Sequence, residues 1–255
     1  MRLALLQTYP VTGVDQGFEA LDRWAAEAKA RDADVLITPE MFMSGYAIGA
    51  EAVREAADAI DPAALSEIAW KHGVALVVGL PERDGEHIYN AAWLIDAEGK
   101  IRLRYHKTHL FGDVDRAQFS AGQTLSEVVE LGGFRVSLGI CYDIEFPELA
   151  RDAAVKGAEA ILVPTANMEP FTSVPMRLVP ARAEENAVYV AYANYIGPEA
   201  QFVYCGLSCL SGPNGEDVAR AALEECLLIG EISHDAIVET RRVLTHLPDR
   251  RTDLY

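Results

Sequence analysis

Three side chains in this sequence have the types and settings that nucleophilic chemistry needs. The stretch GICYDIEFPE (139–148) puts Cys141 where an apolar strand pattern stops and an acidic, helix-opening run begins. In that strand Phe134, Val136, Leu138 and Ile140 share one face, and Arg135, Ser137, Gly139 and Cys141 share the other, because strand side chains alternate. The thiol thus lies on the smaller, more polar side. A strand cysteine taken by itself reads as an inert buried residue. One at a strand end, just ahead of a helix, feels the positive helix N-terminus, which favours the reactive thiolate.

VLITPEMFMSGY (35–46) places Glu40 just past a buried strand, among Pro39, Met41, Phe42 and Met43. A desolvated carboxylate has a raised pKa, which suits a group that moves protons near neutral pH. The competing reading is a loop-surface residue or a helix cap. Lys107, in YHKTHLFGD (105–113), follows an alternating strand and opens a long polar segment. Alone it reads as a solvated edge charge. Beside a thiol, its ammonium would lower the thiol pKa and stabilise a developing oxyanion.

The elements that must position these groups follow from periodicity. Residues 3–8, 34–37, 74–80, 88–95 and 101–105 read as strands. Helical spacing of Phe18, Leu21, Trp24, Ala25 and Ala28 predicts a helix over 17–30. A second helix has Asp61-Pro62 as its start and Gly73 as its stop. Residues 106–126 read as a loop, long enough to suggest function. Beyond it come a strand at 134–140, a helix at 146–156, the strand AILVP, a helix at 172–186 and the strand VYVAYAN. GPNG (212–215) marks a hairpin, and a last strand near 226–232 precedes a short helix. Helices alternating with strands, together with hairpins, predict an α/β or α+β layered architecture with mixed sheets. No linker or repeat is visible, so 1–255 reads as one domain. Glu40, Lys107, Cys141, the segment PTANM (164–168) and Asn194 all follow predicted strands, where ligands bind in open α/β sheets.

Composition narrows the classes. The chain has 255 residues, half of them apolar, and a net charge of −17. Such a surface repels nucleic acid and anionic membranes. No apolar run approaches the ~20 residues of a membrane span, and MRLALLQTYP turns polar too soon for a signal peptide. Four scattered cysteines, at 141, 205, 209 and 226, do not make a disulfide framework. Cys205 and Cys209 read as small buried strand residues, not zinc ligands. A reducing cytoplasm is the expected compartment.

PEMFMSGY, YHKTHLFGD and GICYDIEFPE resemble the Glu–Lys–Cys motifs of the nitrilase superfamily, the carbon–nitrogen hydrolases. PTANM, RAEENAVYVAYANY and YCGLSCLSGPNG extend the resemblance over nearly the whole chain. The resemblance implies an α-β-β-α four-layer sandwich that pairs as a homodimer or larger homo-oligomer. It also implies cofactor-independent, metal-free hydrolysis of a small amide through a Cys thioester. Glu40 would be the base, Cys141 the nucleophile, and Lys107 with the backbone N–H of Tyr142 the oxyanion donors. Within the superfamily the chain is most similar to aliphatic amidases such as 5-aminopentanamidase, which share the pattern at 107–116. Tyr142-Asp143 replaces the Trp-Glu common in nitrilases, favouring amide over nitrile.

Asp115 stands eight residues after Lys107, where family members usually have Glu. One methylene shorter, it has less reach, and a surface carboxylate is the alternative reading. Tyr46, Asp115, Asn167 and Met168 are the expected pocket residues, with core packing equally open for Tyr46 and Met168. For Asn167 a substrate contact is preferred over a turn-stabilising bond. Glu145 and Glu148 read first as partners of a helix N-terminus, and second as receptors for a substrate ammonium. The rivals are an N-carbamoyl amide hydrolase, an ω-amidase, and a non-catalytic binding protein. The first two take anionic substrates and need a cation, for which the motif loops offer only Arg116, Arg177 and Arg182.

Overall fold

Two six-stranded sheets stack face to face, and helices cover both outer faces. The structure is a computed structural model that describes residues 1–254. The first sheet runs, in spatial order, Cys226–Glu231, Arg2–Gln7, Val35–Ile37, Ala75–Asp84, His87–Ile95 and Ile101–His106. The second runs Asp217–Arg220, Cys209–Ser211, Tyr189–Ala193, Ala160–Pro164, Phe134–Leu138 and Val129–Leu131. A separate hairpin pairs Ile196–Glu199 with Phe202–Cys205.

Each sheet has three parallel strands flanked by antiparallel ones. The parallel strands are buried on both faces, so they read as unbroken apolar runs (VLI, AILVP, YVAYA). Leu3, Leu5, Ile37 and Val77 of one sheet pack with Val136, Leu162 and Ala191 of the other in one core. On the far side of the first sheet, Ala4, Leu6, Leu36 and Leu76 meet Leu21, Ala25, Leu65 and Ile68 of the helices Val14–Ala30 and Pro62–His72. The helices Pro147–Val155 and Val179–Asn186 cover the second sheet with Leu149, Ala153, Val179 and Ala183. This is the expected α-β-β-α sandwich.

Local signals explain the element ends. The Asp61 side chain accepts the Ala63 N–H at 2.9 Å, Pro62 opens the helix, and Gly73 closes it with φ 59°. Two expectations need revision. The segment 106–126 is not all loop, because it holds the helix Gly112–Gln118. The helix at 172–186 begins as a π-helix, Val174–Leu178, before the α-helix starts at Val179.

Strand direction brings the distant motifs together. The Ile101–His106 strand is two antiparallel steps from Ala75–Asp84, so it points the same way as the parallel strands. Glu40 and Lys107 therefore emerge at one end of the first sheet. Cys141, Ala166 and Asn194 follow the parallel strands of the second. The Glu40 N–H donates to the Thr165 carbonyl at 3.2 Å, and Thr8 pairs with Tyr195 in a parallel bridge, tying these two ends together.

Candidate active site

Glu40 sits where the chain leaves the Val35–Ile37 strand and crosses its neighbour. The crossing needs Gly79: a Cβ there would lie 2.4 Å from the Pro39 carbonyl oxygen and 2.8 Å from the Glu40 Cα. Glu40 is fully buried, and its Oε1 accepts from Lys107 Nζ and from Asn90 Nδ2, both at 2.6 Å. Its Oε2 is buried with no partner among the described residues. Burial raises the Glu40 pKa above the usual carboxylate range, and Lys107 opposes this only in part. Half of the carboxylate is thus anchored while the other oxygen is free to take a proton.

Lys107 lies between two carboxylates. Its Nζ is 2.6 Å from Glu40 and 2.7 Å from Asp115 Oδ2, and all three groups are fully buried. Burial alone would push the ammonium pKa down. Asp115 and Glu40 more than offset this and hold it well above the ordinary lysine value. An ammonium has three donors, so one N–H remains without an acceptor among the described residues. Asp115 is no surface carboxylate. Its short side chain reaches Lys107 because the helix Gly112–Gln118 turns it inward, and it also accepts from Tyr46 OH at 2.7 Å and the Phe111 N–H at 2.8 Å.

Cys141 begins a five-residue 3-10 turn, Cys141–Glu145, and holds φ at 44°, a left-handed value that side chains rarely adopt. Its sulfur lies within electrostatic reach of Glu40 and Lys107. The expectation of a helix-stabilised thiolate fails. The α-helix starts only at Pro147, and burial and then Glu40 push the thiol pKa well up, against the pull of Lys107 and the Ala166 N–H. The resting sulfur is therefore a neutral thiol that needs a base. Tyr142 is the second residue of the turn, so its backbone N–H is one the turn itself does not use.

Asp143 was not legible as a site residue, yet it fastens the Lys107 segment to the Cys141 turn. Its buried carboxylate accepts from Tyr105 OH at 2.8 Å, Thr108 Oγ1 at 2.9 Å, the His109 N–H at 2.9 Å and the Ile140 N–H at 3.2 Å. His109 Nδ1 lies 2.8 Å away. Removing a carboxylate this heavily used strands several buried donors. Asp143→Ala is expected to cost about 3 kcal/mol or more. Thermal melting should register a drop of roughly 6–12 °C, with kcat falling alongside because Lys107 and Cys141 lose their shared anchor. An unchanged melting curve would reject this role.

The remaining expected pocket residues divide. Tyr46 is buried, bonded to Asp115, and has the Lys107 ammonium 5.8 Å from its ring centre. Met168 packs in the core with Ala166, Tyr195 and Tyr204. Asn167 Nδ2 donates to the Phe171 carbonyl at 3.1 Å and to Cys205 Sγ at 3.4 Å. Neither Glu145 nor Glu148 bonds the helix N-terminus. Phe111, Tyr142, Phe146 and Phe171 form an aromatic rim with edge-on contacts of 4.9–5.8 Å between ring centres. Among the described residues no cluster of three or more His, Cys, Asp or Glu is placed to hold a metal ion. Among the described residues no helix is long and apolar enough to cross a membrane.

The model of the carbon-nitrogen hydrolase family matches residues 2–242. The chain belongs to that family, the nitrilase superfamily. It is 49% identical to the Pseudomonas protegens protein named "Hydrolase in pqqF 5'region", covering 100% of this chain and 90% of that one. It is 35% identical to an omega-amidase of Danio rerio, covering 90% and 87%. Among solved structures, the amidase of Nesterenkonia sp. AN1 superposes with a TM-score of 0.88 at 37% identity, covering 100% of this chain and 98% of that one. A Glu-to-Gln variant of that amidase carries acrylamide on its active-site cysteine. A Cys-to-Ala variant binds butyramide. The fold and family make this chain a hydrolase of carbon–nitrogen bonds.

Proposed function

We propose that the chain, acting as one domain, hydrolyses small aliphatic carboxamides to carboxylic acid and ammonia, with Cys141 as nucleophile. The observation that carries this reading is the fully buried Lys107 ammonium, clamped by Glu40 and Asp115 with one N–H to spare, within reach of the Cys141 sulfur. A fixed cation in a dry site is costly to bury, and stabilising an oxyanion is what such a group does well.

The steps follow from the free atoms. Glu40 Oε2 takes the thiol proton as sulfur attacks the amide carbon. The tetrahedral oxyanion accepts from the third Lys107 N–H and from the Tyr142 backbone N–H. The C–N bond breaks as Glu40 returns the proton to nitrogen, and ammonia leaves. Water then gives a proton to Glu40 and attacks the thioester carbon. Collapse of that adduct breaks the C–S bond, returns the proton to sulfur and frees the acid. Asp115 and Tyr46 hold Lys107 in place. A group that serves as base and then as acid needs a pKa near the working pH, and the raised Glu40 carboxyl meets that need.

Similarity to the Nesterenkonia amidase supports amide over nitrile, and the motif at 107–116 resembles that of 5-aminopentanamidases. An omega-amidase reading has its own support in the Danio rerio relative. Its substrate would need a cation to hold a second carboxylate. Arg116 and Arg177 are exposed. Arg182 is committed to the Ile144 and Glu145 carbonyls and to Glu185. Ammonia release from short unbranched alkanamides, with a transient acyl adduct on Cys141 seen by intact mass, is the expected result. Release from nitriles or carbamoyl compounds alone would overturn it.

A further inference from the structure

We infer that Glu199 is a positioning residue for catalysis: it fixes the backbone of Tyr46, so that the Tyr46 hydroxyl holds Asp115 and, through it, the Lys107 ammonium. This rests on the amide-hydrolase reading and adds to it a residue that lies outside every motif segment.

Glu199 ends the strand Ile196–Glu199 of the separate hairpin. That hairpin is fastened to the second-sheet side of the site. The Glu169 N–H donates to the Val203 carbonyl at 2.9 Å and the Cys205 N–H to the Asn167 carbonyl at 3.1 Å, in the segment that follows Ala160–Pro164. The half-buried Glu199 carboxylate reaches across to the loop that follows Glu40. Its Oε1 accepts the Tyr46 N–H at 2.9 Å, and its Oε2 accepts the Ala47 N–H at 3.0 Å and the Tyr204 hydroxyl. Two successive backbone N–H groups, one on each carboxylate oxygen, leave that stretch of chain little freedom. The fit is close: Gly45 has φ 94°, and a Cβ there would lie 2.8 Å from Glu199 Oε1.

The other side of Tyr46 is held by the helix Gly112–Gln118. Gln118 Nε2 donates to the Tyr46 carbonyl at 3.3 Å, and Gln118 Oε1 accepts the Gly49 N–H at 2.9 Å. The same helix carries Asp115, which accepts from the Tyr46 hydroxyl at 2.7 Å and lies 2.7 Å from Lys107 Nζ. Glu199, Tyr46, Asp115 and Lys107 thus form one line of polar contacts that ends on the oxyanion donor. Misplacing a catalytic group by about 1 Å costs on the order of 100-fold in rate. Lys107 acts on an oxyanion that forms only after binding, so the loss belongs to kcat and not to KM.

The test uses Glu199→Gln, which keeps the shape but turns one acceptor oxygen into an amide nitrogen that cannot accept. With propanamide as substrate, kcat is expected to fall about 10- to 100-fold, with KM within about threefold of wild type. Tyr46→Phe should lower kcat likewise. The double variant should be no more than about threefold worse than the poorer single one, because both changes break the same line of contacts. Lys107 pulls the Cys141 thiol pKa down, so alkylation of Cys141 by iodoacetamide, read by peptide mass mapping, should move to higher pH in both single variants. A carboxylate that only stabilised the fold would lower the melting temperature and leave kcat per folded molecule and the alkylation profile as in wild type. That result, or additive losses in the double variant, overturns the assignment. Should Glu199→Gln fail to fold, Tyr204→Phe releases Glu199 on its hairpin side, and an unchanged kcat and alkylation profile there overturn it as well. Alkylation needs no turnover, which separates the two readings. A wild type that hydrolyses no amide, with the profile still shifted in Glu199→Gln, sinks the hydrolase reading alone, and neither turnover nor a shift sinks both.

Discussion

Cys141→Ala is expected to lower amide turnover by at least ~10⁴-fold while the protein melts within a few degrees of wild type. The rate loss is large because nothing nearby can replace the sulfur. The other cysteines are elsewhere: Cys205 is bonded by Asn167 and Asn194, Cys209 is buried beside Pro175, and Cys226 lies in the strand at the edge of the first sheet. The structural cost is small because the backbone bonds that close the turn, such as the Asp143 N–H to the Ile140 carbonyl at 3.0 Å, do not involve the sulfur. Alanine keeps the same backbone strain at φ 44° and adds none. Ammonia release and intact mass after incubation with substrate measure the effect. Residual activity within tenfold of wild type, or an acyl adduct on the variant, would remove Cys141 from the mechanism.

The three strand-end groups were legible because an α/β sheet gathers ligands at one end, and a motif at each end marked the place. Parity settled the rest: two antiparallel steps return the Ile101–His106 strand to the direction of the parallel core. The number of sheets was not legible. Strands buried on both faces are apolar throughout, so their pattern does not say whether the second cover is a helix or another sheet. The helix Ala50–Ala59 escaped notice for a different reason. It buries little besides Val53 and Ala56, and its one-sided apolar face is made mostly of alanines, which are weak markers of a core. Gly112–Gln118 is too short to show a period, although it carries Asp115.

Charge state was the least readable property. The placement of Cys141 suggested a thiolate, but the sign of a pKa shift depends on a three-dimensional sum. Burial and Glu40 outweigh Lys107 at the sulfur, whereas at Lys107 the two carboxylates outweigh burial. Asp143 shows the same limit. In sequence it is one acid among several after the cysteine, and only the fold reveals the donors that converge on it from the Lys107 segment. Gly79 carries a signal for the Glu40 crossing in the sequence itself. A glycine inside an otherwise apolar strand marks close approach of another backbone, and here that backbone is Glu40.

Lys107→Ala should damage both catalysis and folding, and the pairing of the two effects is what distinguishes this lysine from a surface charge. Loss of one oxyanion donor costs about 100- to 1000-fold in kcat, and Lys107 also tunes Glu40, so the expected loss is at least that large. Without the ammonium, Glu40 and Asp115 remain buried as carboxylates with no cation between them. Breaking such a buried arrangement costs roughly 3–5 kcal/mol, and at this size each kcal/mol lowers the melting temperature by about 2–4 °C. The deficit should depend on pH. Burial already holds the Glu40 pKa above its ordinary value, and Lys107 is the strongest influence lowering it. Removing Lys107 raises that pKa further, so the folded variant binds a proton more tightly than the unfolded chain does. A carboxyl with a raised folded pKa loses stability as pH rises through that value. The gap between Lys107→Ala and wild type should therefore widen from mildly acid to mildly alkaline buffer. Melts at pH 5 and pH 8 beside kcat/KM on a neutral amide measure both effects. Lys107→Met, which keeps most of the volume, separates lost charge from lost packing. If the alanine variant melts as wild type does and turns over within severalfold, the ammonium is neither a structural clamp nor an oxyanion donor.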